Sequence, residues 1–365
     1  MSTYIKSIGT ALPLYSTEQS RIADFMVRHL KLNEQEERNL RILYRASGIQ
    51  NRYSVLEDFG RNLNGQSFFR EDATFPTAKP RMDLYQKHAL SLAVQASKEA
   101  INDAGITMDS ITHVITISCT GMYAPGLDIE LIEELSLKTN TKRTSINFMG
   151  CYASFNGLKM ADQIIRSEPE SNVLMVCVEL CTIHLQDKKD EENLLANAIF
   201  GDGAAALIIN SKEGKRSLKV QNFYSDLALS GKKEMGWYIG DYGFEMKLSP
   251  RVPDVIKEGI EELTTSLLSH IQLDLSDIDY FAIHPGGKRI LEVIEEKLHI
   301  TKEQNRFARE ALRSFGNMSS PTVLFVIKSI MEDVQSKDNG KHLLSFAFGP
   351  GLTLESAVLQ VRCNA

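Results

Sequence analysis

The chain has 365 residues, of which 24% are charged and 43% hydrophobic, and its formal net charge is −6. This length exceeds the usual size of a single core, and the composition is that of an ordinary globular protein, which excludes a disordered or fibrous chain. The acidic balance gives no reason to expect a nucleic-acid partner, although a local basic patch could still hold a phosphate group.

The cysteines and the lengths of the apolar runs indicate in which cellular compartment the protein is expected. The five cysteines form an odd set without the spacing of a disulfide framework, which favours a reducing environment. No run of 18 apolar residues occurs, and the first thirty residues lack the apolar core of a signal peptide. We therefore expect a cytoplasmic protein without a membrane span.

Predicted strands and helices alternate through the first part of the chain. Strands are predicted at residues 4–12, 112–118, 172–180 and 204–210, and helices at 18–30, 33–46, from Asp83 to Gly105, and from Leu127. Residues 54–82 are polar and contain glycines and prolines, and we expect them to form a long surface excursion.

The helix predicted at 33–46 carries three arginines on one face. Arg38, Arg41 and Arg45 follow one another at steps of three and four residues, so their guanidinium groups could together grip phosphates. The alternative is a solvated surface in which Glu34 and Glu37 pair with Arg38 and Arg41. The spacing alone does not decide between these interpretations.

A single cysteine stands between a short apolar run and a segment with helical periodicity. Residues 145–149 are predicted to be the buried end of a strand, and apolar residues recur after Cys151 at Phe155, Leu158, Ala161 and Ile165. A thiol in the first turn of a helix faces unpaired N–H groups and the positive end of the dipole, which would stabilise a nucleophilic thiolate. The alternative is a small buried hydrophobic residue, the common role of a free cysteine.

Two further features of this part of the chain have plainer interpretations. Cys177, Cys181 and His184 have spacings that would suit a metal site, but Cys177 lies in a predicted buried strand and no fourth ligand is evident, so no metal is predicted. The glycine-rich turn at residues 200–203 lacks the lysine and the length of a phosphate loop, which favours a structural hinge.

A polar stretch at residues 211–215 predicts the join between two halves, 1–212 and 213–365. In the second half, strands are predicted at 218–226, 280–283, 342–348 and 353–361, and helices at 252–271, 290–298, 310–315 and 317–331. Residues 235–244 are punctuated by glycines, which indicates a turn near a pocket. Strands that alternate with helices in both halves favour a layered α/β fold.

His284 and Asn317 occupy positions that suit a cleft. His284 ends a predicted buried strand, and the proline and two glycines that follow it would leave room for a ligand. Asn317 stands between a glycine and a helix start, where an ordinary N-cap is the alternative. Together with Cys151 they could converge as a Cys/His/Asn catalytic set.

Five short motifs stand out along the chain: Gly150-Cys151, Phe200-Gly-Asp-Gly-Ala-Ala-Ala206, Ile283-His-Pro-Gly-Gly287, Phe315-Gly-Asn-Met-Ser-Ser320 and Phe346-Ala-Phe-Gly-Pro-Gly-Leu352. They resemble motifs of the type III polyketide synthases, the chalcone and stilbene synthase family of the thiolase superfamily. The motifs span nearly the whole chain in family order. The related ketoacyl synthase III enzymes carry a His-Gln-Ala-Asn run that is absent here, so the resemblance favours the polyketide branch.

The resemblance implies a thiolase fold, in which two similar halves form five α/β/α/β/α layers, and a homodimer. It implies that Cys151 attacks the thioester of a starter acyl-CoA and holds the acyl group covalently. His284 would pair with the thiolate, and His284 and Asn317 would donate hydrogen bonds to the thioester oxygen of malonyl-CoA. Decarboxylation would leave an enolate that extends the acyl chain, a final cyclisation would release a ring, and no metal or redox cofactor would be required.

The resemblance also implies substrate-binding positions. Phe200 would be a gate between the CoA tunnel and the chamber, and Met246 stands where the family commonly has a second gating phenylalanine. The residues that match the family's basic ligands of the CoA phosphates are Arg38, Arg41 and Arg45. The residues that would border the cavity are Ser319, Gly349, Pro350 and Gly351.

Departures from the family pattern argue against chalcone as the product. Cys119, Cys181 and His184 stand where plant chalcone synthases have threonines that line the pocket. Trp237 replaces a small residue, and Ala124 replaces a methionine that reaches into the partner subunit. We therefore expect an enzyme of bacterial type that makes an alkylpyrone, an alkylresorcinol or a small phenolic ring.

Two other functions fit the same motifs. A single-round ketoacyl synthase would make one condensation and no ring, whereas a degenerate thiolase-fold protein would act only as a binding partner. The presence of Cys151, His284 and Asn317 argues against the second alternative.

Overall fold

The computed structural model describes residues 2–60, 67–70 and 74–363. Within these ranges the chain forms thirteen strands and ten α-helices. The strands of the first half are β1 (Tyr4–Ala11), β2 (Tyr15–Glu18), β3 (Asn51–Ser54), β4 (His113–Ser118), β5 (Lys142–Asn147), β6 (Val173–Leu180) and β7 (Asp202–Asn210). Its helices are α1 (Gln19–His29), α2 (Glu34–Ala46), α3 (Ala78–Ala104), α4 (Leu127–Glu134), α5 (Ala153–Ser167) and α6 (Glu191–Ile199).

The second half repeats this mixture of elements. Its strands are β8 (Arg216–Leu227), β9 (Met235–Gly240), β10 (Gly243–Leu248), β11 (Ile278–Ile283), β12 (His342–Gly349) and β13 (Thr353–Cys363). Its helices are α7 (Val252–Ser269), α8 (Lys288–Lys297), α9 (Arg306–Phe315) and α10 (Thr322–Asp333). The loop at residues 211–215 connects β7 to β8, and the division into halves at residue 212 stays a prediction.

Nine strands form one continuous sheet in the order β11-β12-β13-β8-β1-β7-β6-β4-β5. The strand β1 pairs with β7 along its length but with β8 only at Tyr4 and Ile5. The sheet is therefore nearly divided into a five-stranded part from the first half and a four-stranded part from the second.

The helices complete the layers that the resemblance implies. Helix α5 contacts β4 and β6 on one side and β13 on the other, and α10 contacts β11 and β8 as well as β1 and β7. Helix α3 covers β1, β6 and β7 from outside, while α7 covers β8 and β13. The order α/β/α/β/α is that of the thiolase fold, with α5 and α10 in the central layer.

Local chemistry explains why α2 forms where the sequence predicts it. The Asn33 side chain accepts hydrogen bonds from the N–H groups of Gln35 and Glu36, both at 3.0 Å, and the Glu36 carboxylate accepts one from the Asn33 N–H at 2.8 Å. This reciprocal capping box satisfies backbone donors that the first helical turn leaves unpaired.

Two predictions before α3 are wrong in whole or in part. The helix begins at Ala78 rather than at Asp83 and carries Pro80 in its first turn, where a missing N–H costs no hydrogen bond. The described part of 54–82 is a surface excursion only in part: residues 74–80 are exposed or half-buried, but Phe59 and Phe69 are buried and the Phe59 ring packs 5.1 Å from that of Phe25. Aromatic residues that cluster without a period give no signal of helix or strand. Residues 61–66 and 71–73 of that prediction lie outside the described residues.

Strands β5 and β6 differ in how deeply they lie. All eight residues of β6 are buried, as predicted, because β4 and β7 flank it and helices cover both of its faces. Strand β5 was expected to be buried near its end, but it is the last strand of the sheet and its residues alternate between exposed and half-buried.

No helix within the described ranges is both long enough and apolar enough to cross a bilayer.

Candidate active site

Cys151, His284 and Asn317 line one cavity of about 1010 Å³, with the space at its open mouth included. Cys151 lies between β5 and α5, His284 directly follows β11, and Asn317 follows α9 after one glycine. The three residues are 6%, 1% and 2% exposed, respectively. Three groups that are distant in sequence therefore meet in a nearly dry site, as the sequence predicts.

Close backbone packing fixes the position of the thiol. Gly150 has φ +83°, and a Cβ atom at this position would overlap the ring of Pro350. A Cβ on Gly349 would lie 2.6 Å from the ring of Tyr152. The loop at residues 349–351 therefore presses directly on the turn that carries Cys151, and only glycine fits at these two contacts.

The expectation that residues 349–351 border the cavity is met in part. Pro350 lines the cavity wall, whereas Gly349 and Gly351 do not. Gly351 has φ +74°, a left-handed conformation that glycine adopts without strain. The two glycines allow the tight loop, and the proline forms the surface that a substrate would meet.

Asn317 and Ser319 line the cavity together with Cys151. Both side chains act to lower the pKa of the Cys151 thiol. The Asn317 Oδ1 atom accepts the N–H of Ser319 at 2.8 Å, and its Nδ2 atom donates to the carbonyl of Gly286 at 3.2 Å. The orientation of the amide is thus set by two backbone groups, so its NH2 group faces the site.

His284 has an unusual setting for a buried polar side chain. Neither ring nitrogen has a hydrogen-bond partner among the described residues. The backbone is well anchored, since the His284 N–H donates to the carbonyl of Phe346 at 2.8 Å. A buried donor and acceptor without partners is costly, and a substrate oxygen in the cavity could supply the missing partner.

Burial decides the charge state of this pair. Desolvation raises the pKa of the Cys151 thiol to about 11, although the hydrogen bonds from Ser319 and Asn317 act in the opposite direction. Desolvation also lowers the pKa of His284 to about 3. Burial therefore opposes the predicted thiolate–imidazolium pair, although the helix N-terminus would favour the thiolate. Loss of hydration favours the neutral thiol and imidazole.

His184 is held in one tautomer by two backbone groups. Its Nδ1 atom accepts the N–H of Phe244 at 2.9 Å, so its Nε2 atom carries the proton and donates to the carbonyl of Thr120 at 2.7 Å. Burial lowers its pKa to about 3, and its ring stacks on that of Phe244 at 4.4 Å. Both nitrogens are thus committed to the protein, and the described residues contain no group of three metal-ligating side chains. His184 is a wall residue.

Comparison with known proteins identifies the family. Residues 2–213 match the N-terminal domain of chalcone and stilbene synthases, and residues 221–362 match the C-terminal domain. The chain belongs to the chalcone and stilbene synthase family. It is an acyltransferase, and members of this family act on CoA thioesters.

Two curated relatives match over almost their whole length. An alpha-pyrone synthesis polyketide synthase-like protein of Mycobacterium tuberculosis is 31% identical over 362 residues, 98% of this chain and 91% of the relative. Type III polyketide synthase C of Arabidopsis thaliana is 28% identical over 367 residues, 98% of this chain and 94% of the relative. The crystal structure of PKS-I from the brown alga Ectocarpus siliculosus superposes with a TM-score of 0.91 at 28% identity, and 98% of each chain is covered.

The remaining pocket positions taken from the family lie around the same cavity. The β9–β10 hairpin confirms the predicted turn near a pocket, and it places Trp237 directly opposite Met246. The Trp237 ring nitrogen donates to the carbonyl of Cys119 at 2.7 Å, and the Cys119 Sγ atom accepts the N–H of Gly150 at 2.9 Å. The predicted substrate-binding residues on the cavity wall are Cys119, Cys181, His184, Phe200, Trp237, Met246, Ser319 and Pro350.

Glu179 is a residue that the sequence analysis missed. Its fully buried carboxylate accepts hydrogen bonds from the N–H of Cys119 at 2.9 Å and from the hydroxyls of Thr120 and Ser320 at 2.8 and 2.7 Å. It thereby joins the two loops on either side of Cys151, and burial raises its pKa. The signal was present, because Glu179 is the one charged residue in an otherwise apolar predicted strand.

The three arginines of α2 do not line this cavity. Arg41 is held by Asp24 at 2.6 Å and by Glu37 at 2.8 Å, the second being the i,i+4 pair of the solvated-surface alternative. Arg38 and Arg45 are exposed, and neither forms an ion pair within the described parts of the chain. Helix α2 contacts α6, which does line the cavity. Two free cations therefore lie one helix away from the site.

Proposed function

We propose that the chain is a type III polyketide synthase that extends an acyl group on Cys151 with malonyl-CoA in repeated decarboxylative condensations. A final cyclisation would release a pyrone, a resorcinol or a related phenolic ring. The convergence of Cys151, His284 and Asn317 in one buried cavity carries the proposal. The alpha-pyrone activity in the name of the mycobacterial relative supports a pyrone.

The first step loads the starter. His284 accepts the proton of the Cys151 thiol as the sulfur attacks the thioester carbonyl, and CoA leaves as the thiol after it takes up that proton. The unpartnered ring nitrogens and the neutral imidazole of His284 suit this role, because a base must be unprotonated before the reaction. The N–H groups of the turn stabilise the charge that develops on sulfur.

The second step makes the nucleophile. An N–H of His284 and an N–H of Asn317 donate to the thioester oxygen of malonyl-CoA while its carboxylate leaves as CO2. The electron pair of the broken C–C bond remains as an enolate, which attacks the acyl carbon and returns the Cys151 sulfur as the leaving group. Since decarboxylation supplies these electrons, the proposed chemistry requires neither a metal nor a redox cofactor.

The arginines of α2 and two residues of the cavity wall would bind the substrates. We assign the CoA phosphates to Arg38, Arg41 and Arg45, because Arg38 and Arg45 are exposed and form no ion pair within the described residues, and Arg41 is oriented by two carboxylates. Phe200 and Met246 would separate the bound pantetheine arm from the inner chamber. The five cysteines are free, which supports a cytoplasmic location.

A homodimer fits the surface beside β5. This strand ends the sheet, and an open cavity of about 790 Å³ lies next to it, with Ala124 and Met122 in its wall. Met122 is 44% exposed. A strand edge and an exposed apolar side chain are features that association between copies would cover.

The test is product analysis. The purified protein is incubated with malonyl-CoA and a panel of acyl-CoA starters, and the products are identified by mass. We expect products with at least two added two-carbon units, release of CO2 and CoA, and no product from Cys151→Ala. A single added unit would favour a single-round ketoacyl synthase, and continued product formation by Cys151→Ala would contradict the assigned nucleophile.

A further inference from the structure

Arg52 is a buried cation that contacts two segments of the site, residues 199–201 and residues 316–317. It lies in β3, is 5% exposed and reaches the wall of the cavity. Its Nη1 atom donates to the carbonyls of Phe200 at 2.6 Å and Asn197 at 2.9 Å, and its Nε atom donates to Gln19 Oε1 at 2.9 Å. One guanidinium group thus holds two carbonyls at the C-terminal end of α6 and the side chain of Gln19 in α1.

A short β-bridge between Phe200 and Asn317 links the carbonyl that Arg52 holds to a residue of the active site. The N–H of Gly201 donates to the carbonyl of Asn317 at 2.9 Å, and the N–H of Asn317 donates to the carbonyl of Ile199, also at 2.9 Å. The segments at 199–201 and 316–317 therefore move together. A displacement of the Phe200 carbonyl would displace the Asn317 amide that faces Cys151.

The side-chain stem of Arg52 supports the second segment directly. Gly316 has φ +69°, and a Cβ there would lie 2.9 Å from the Arg52 Cγ atom and 3.1 Å from its Cδ atom. The arginine stem therefore lies immediately beneath the residue before Asn317. Arg52 contacts one segment through hydrogen bonds and the other through packing.

Burying the charged guanidinium group of Arg52 costs folding free energy, which a contact that only fills space would not require. Burial lowers the pKa of Arg52, and its Nη2 atom has no hydrogen-bond partner among the described residues. An apolar side chain of similar volume would fill the space without an unpaired donor. A planar guanidinium, however, can hold several acceptors in a fixed geometry, which an apolar or a lysine side chain cannot.

We propose that Arg52 is a positioning residue for the malonyl-dependent step. It sets the Asn317 amide relative to the Cys151 sulfur and holds Phe200 at the cavity wall. The inference rests on the proposed function, in which Asn317 acts in enolate formation and His284 acts in both loading and enolate formation. Loss of Arg52 should then affect extension far more than loading.

The experiment measures the two half-reactions separately in the full-length protein. Loading is followed as the mass increase of the intact protein with an acyl-CoA, and extension is followed as CO2 release and product formation after malonyl-CoA is added. For Arg52→Met we expect the kcat of extension to fall about 10- to 100-fold, because small misplacements of a catalytic group have effects of this size. The loading rate should stay within about threefold of wild type. Arg52→Lys should show a smaller loss in the same direction.

Two control variants separate positioning from stability. Tyr44→Phe removes a different donor to the Asn197 carbonyl, at 3.2 Å, and leaves the Phe200 carbonyl held. Arg309→Met removes a guanidinium that is paired with the buried Glu295, outside the cavity wall. Both variants should keep the wild-type ratio of extension to loading, even if Arg309→Met unfolds at a lower denaturant concentration.

The possible outcomes are distinct. Equal losses of loading and extension in Arg52→Met and Arg52→Lys, or no loss of either, would overturn the assignment of Arg52. Failure of wild-type protein to load Cys151 would instead overturn the proposed function on which the assignment rests. If Arg52→Met does not fold, the ratio measured for Arg52→Lys decides.

Discussion

At the scale of single residues, the chemistry of the site depends on how burial changes the pKa values of Cys151 and His284. The sequence places Cys151 before a helix, which alone would favour a thiolate. In the folded protein, desolvation is the larger effect and raises the pKa of the thiol to about 11. It also keeps His284 neutral, and a neutral imidazole can both accept the thiol proton and donate to an oxygen.

This charge state predicts the pH dependence of Cys151 alkylation. Only the thiolate reacts, and its fraction grows as the pH rises toward the raised pKa. The rate of iodoacetamide modification, measured by mass on the peptide that contains residue 151, should therefore still be rising above about pH 9. A plateau reached below about pH 8 would show instead that a thiolate–imidazolium pair exists in the resting enzyme.

At the scale of elements, the β9–β10 hairpin closes one side of the cavity. Trp237 packs at right angles to the rings of His184 and Phe244, at 5.7 and 5.9 Å, and is tied to the Cys119 carbonyl. The alternate residue Tyr238 points outward and is 58% exposed. Strand alternation thus places one large ring inside the chamber and leaves the next in solvent.

This placement predicts the effect of trimming the hairpin. Trp237→Ala should enlarge the chamber, so that kcat/KM for longer acyl-CoA starters rises relative to shorter ones by about 10-fold or more. Tyr238→Ala is the matched control and should leave this ratio unchanged. The measurement is a competition between two starters of different length, and an unchanged ratio in Trp237→Ala would show that Trp237 does not limit the chamber.

The elements also show what can be predicted from sequence. Helix α2 and strand β6 were predicted because local signals determine them, a capping box in one and a continuous apolar run in the other. The start of α3 was missed because the residues before Asp83 lack apolar periodicity. The contacts of Arg52 could not be predicted from the sequence, because its acceptors at Asn197 and Phe200 lie 145 and 148 residues away along the chain. Cys151, His284 and Asn317 could be found because each stands in a recognisable motif at the end of an element.

At the scale of the whole molecule, buried histidines limit stability in acid. His184 and His284 have an ordinary pKa of 6.5 in an unfolded chain, and burial lowers it to about 3. The unfolded chain therefore binds protons below pH 6.5 that the folded protein does not. The stability that these two histidines contribute is fully present above pH 6.5 and is lost as the pH falls toward 3.

This linkage can be measured by denaturant unfolding at about pH 7, 6 and 5. Each of the two histidines should contribute a loss of about 1.4 kcal/mol in the free energy of unfolding per pH unit below 6.5. His184→Asn should remove one of these contributions. An unaltered slope in His184→Asn would contradict the assignment.

The proposed dimer is also a property of the whole molecule. If the surface beside β5 is the interface, light scattering of the wild-type protein should give twice the 40.9 kDa mass of one chain. Met122→Asp should shift the distribution toward the monomer, because a charge would have to be buried without a partner. Met160→Asp, on the partly exposed side of α5, is the control and should remain dimeric. A monomeric wild-type protein would contradict the proposal.

The most direct test of the central claim is to identify where the starter acyl group is bound. The protein is incubated with an acyl-CoA alone, digested, and the peptides are compared by mass with those from Cys151→Ala and His284→Ala. We predict one acyl group on the peptide that contains Cys151, none in Cys151→Ala, and much slower labelling in His284→Ala. An acyl group on another residue, or equal labelling of all three proteins, would contradict the assignment of Cys151 as the nucleophile.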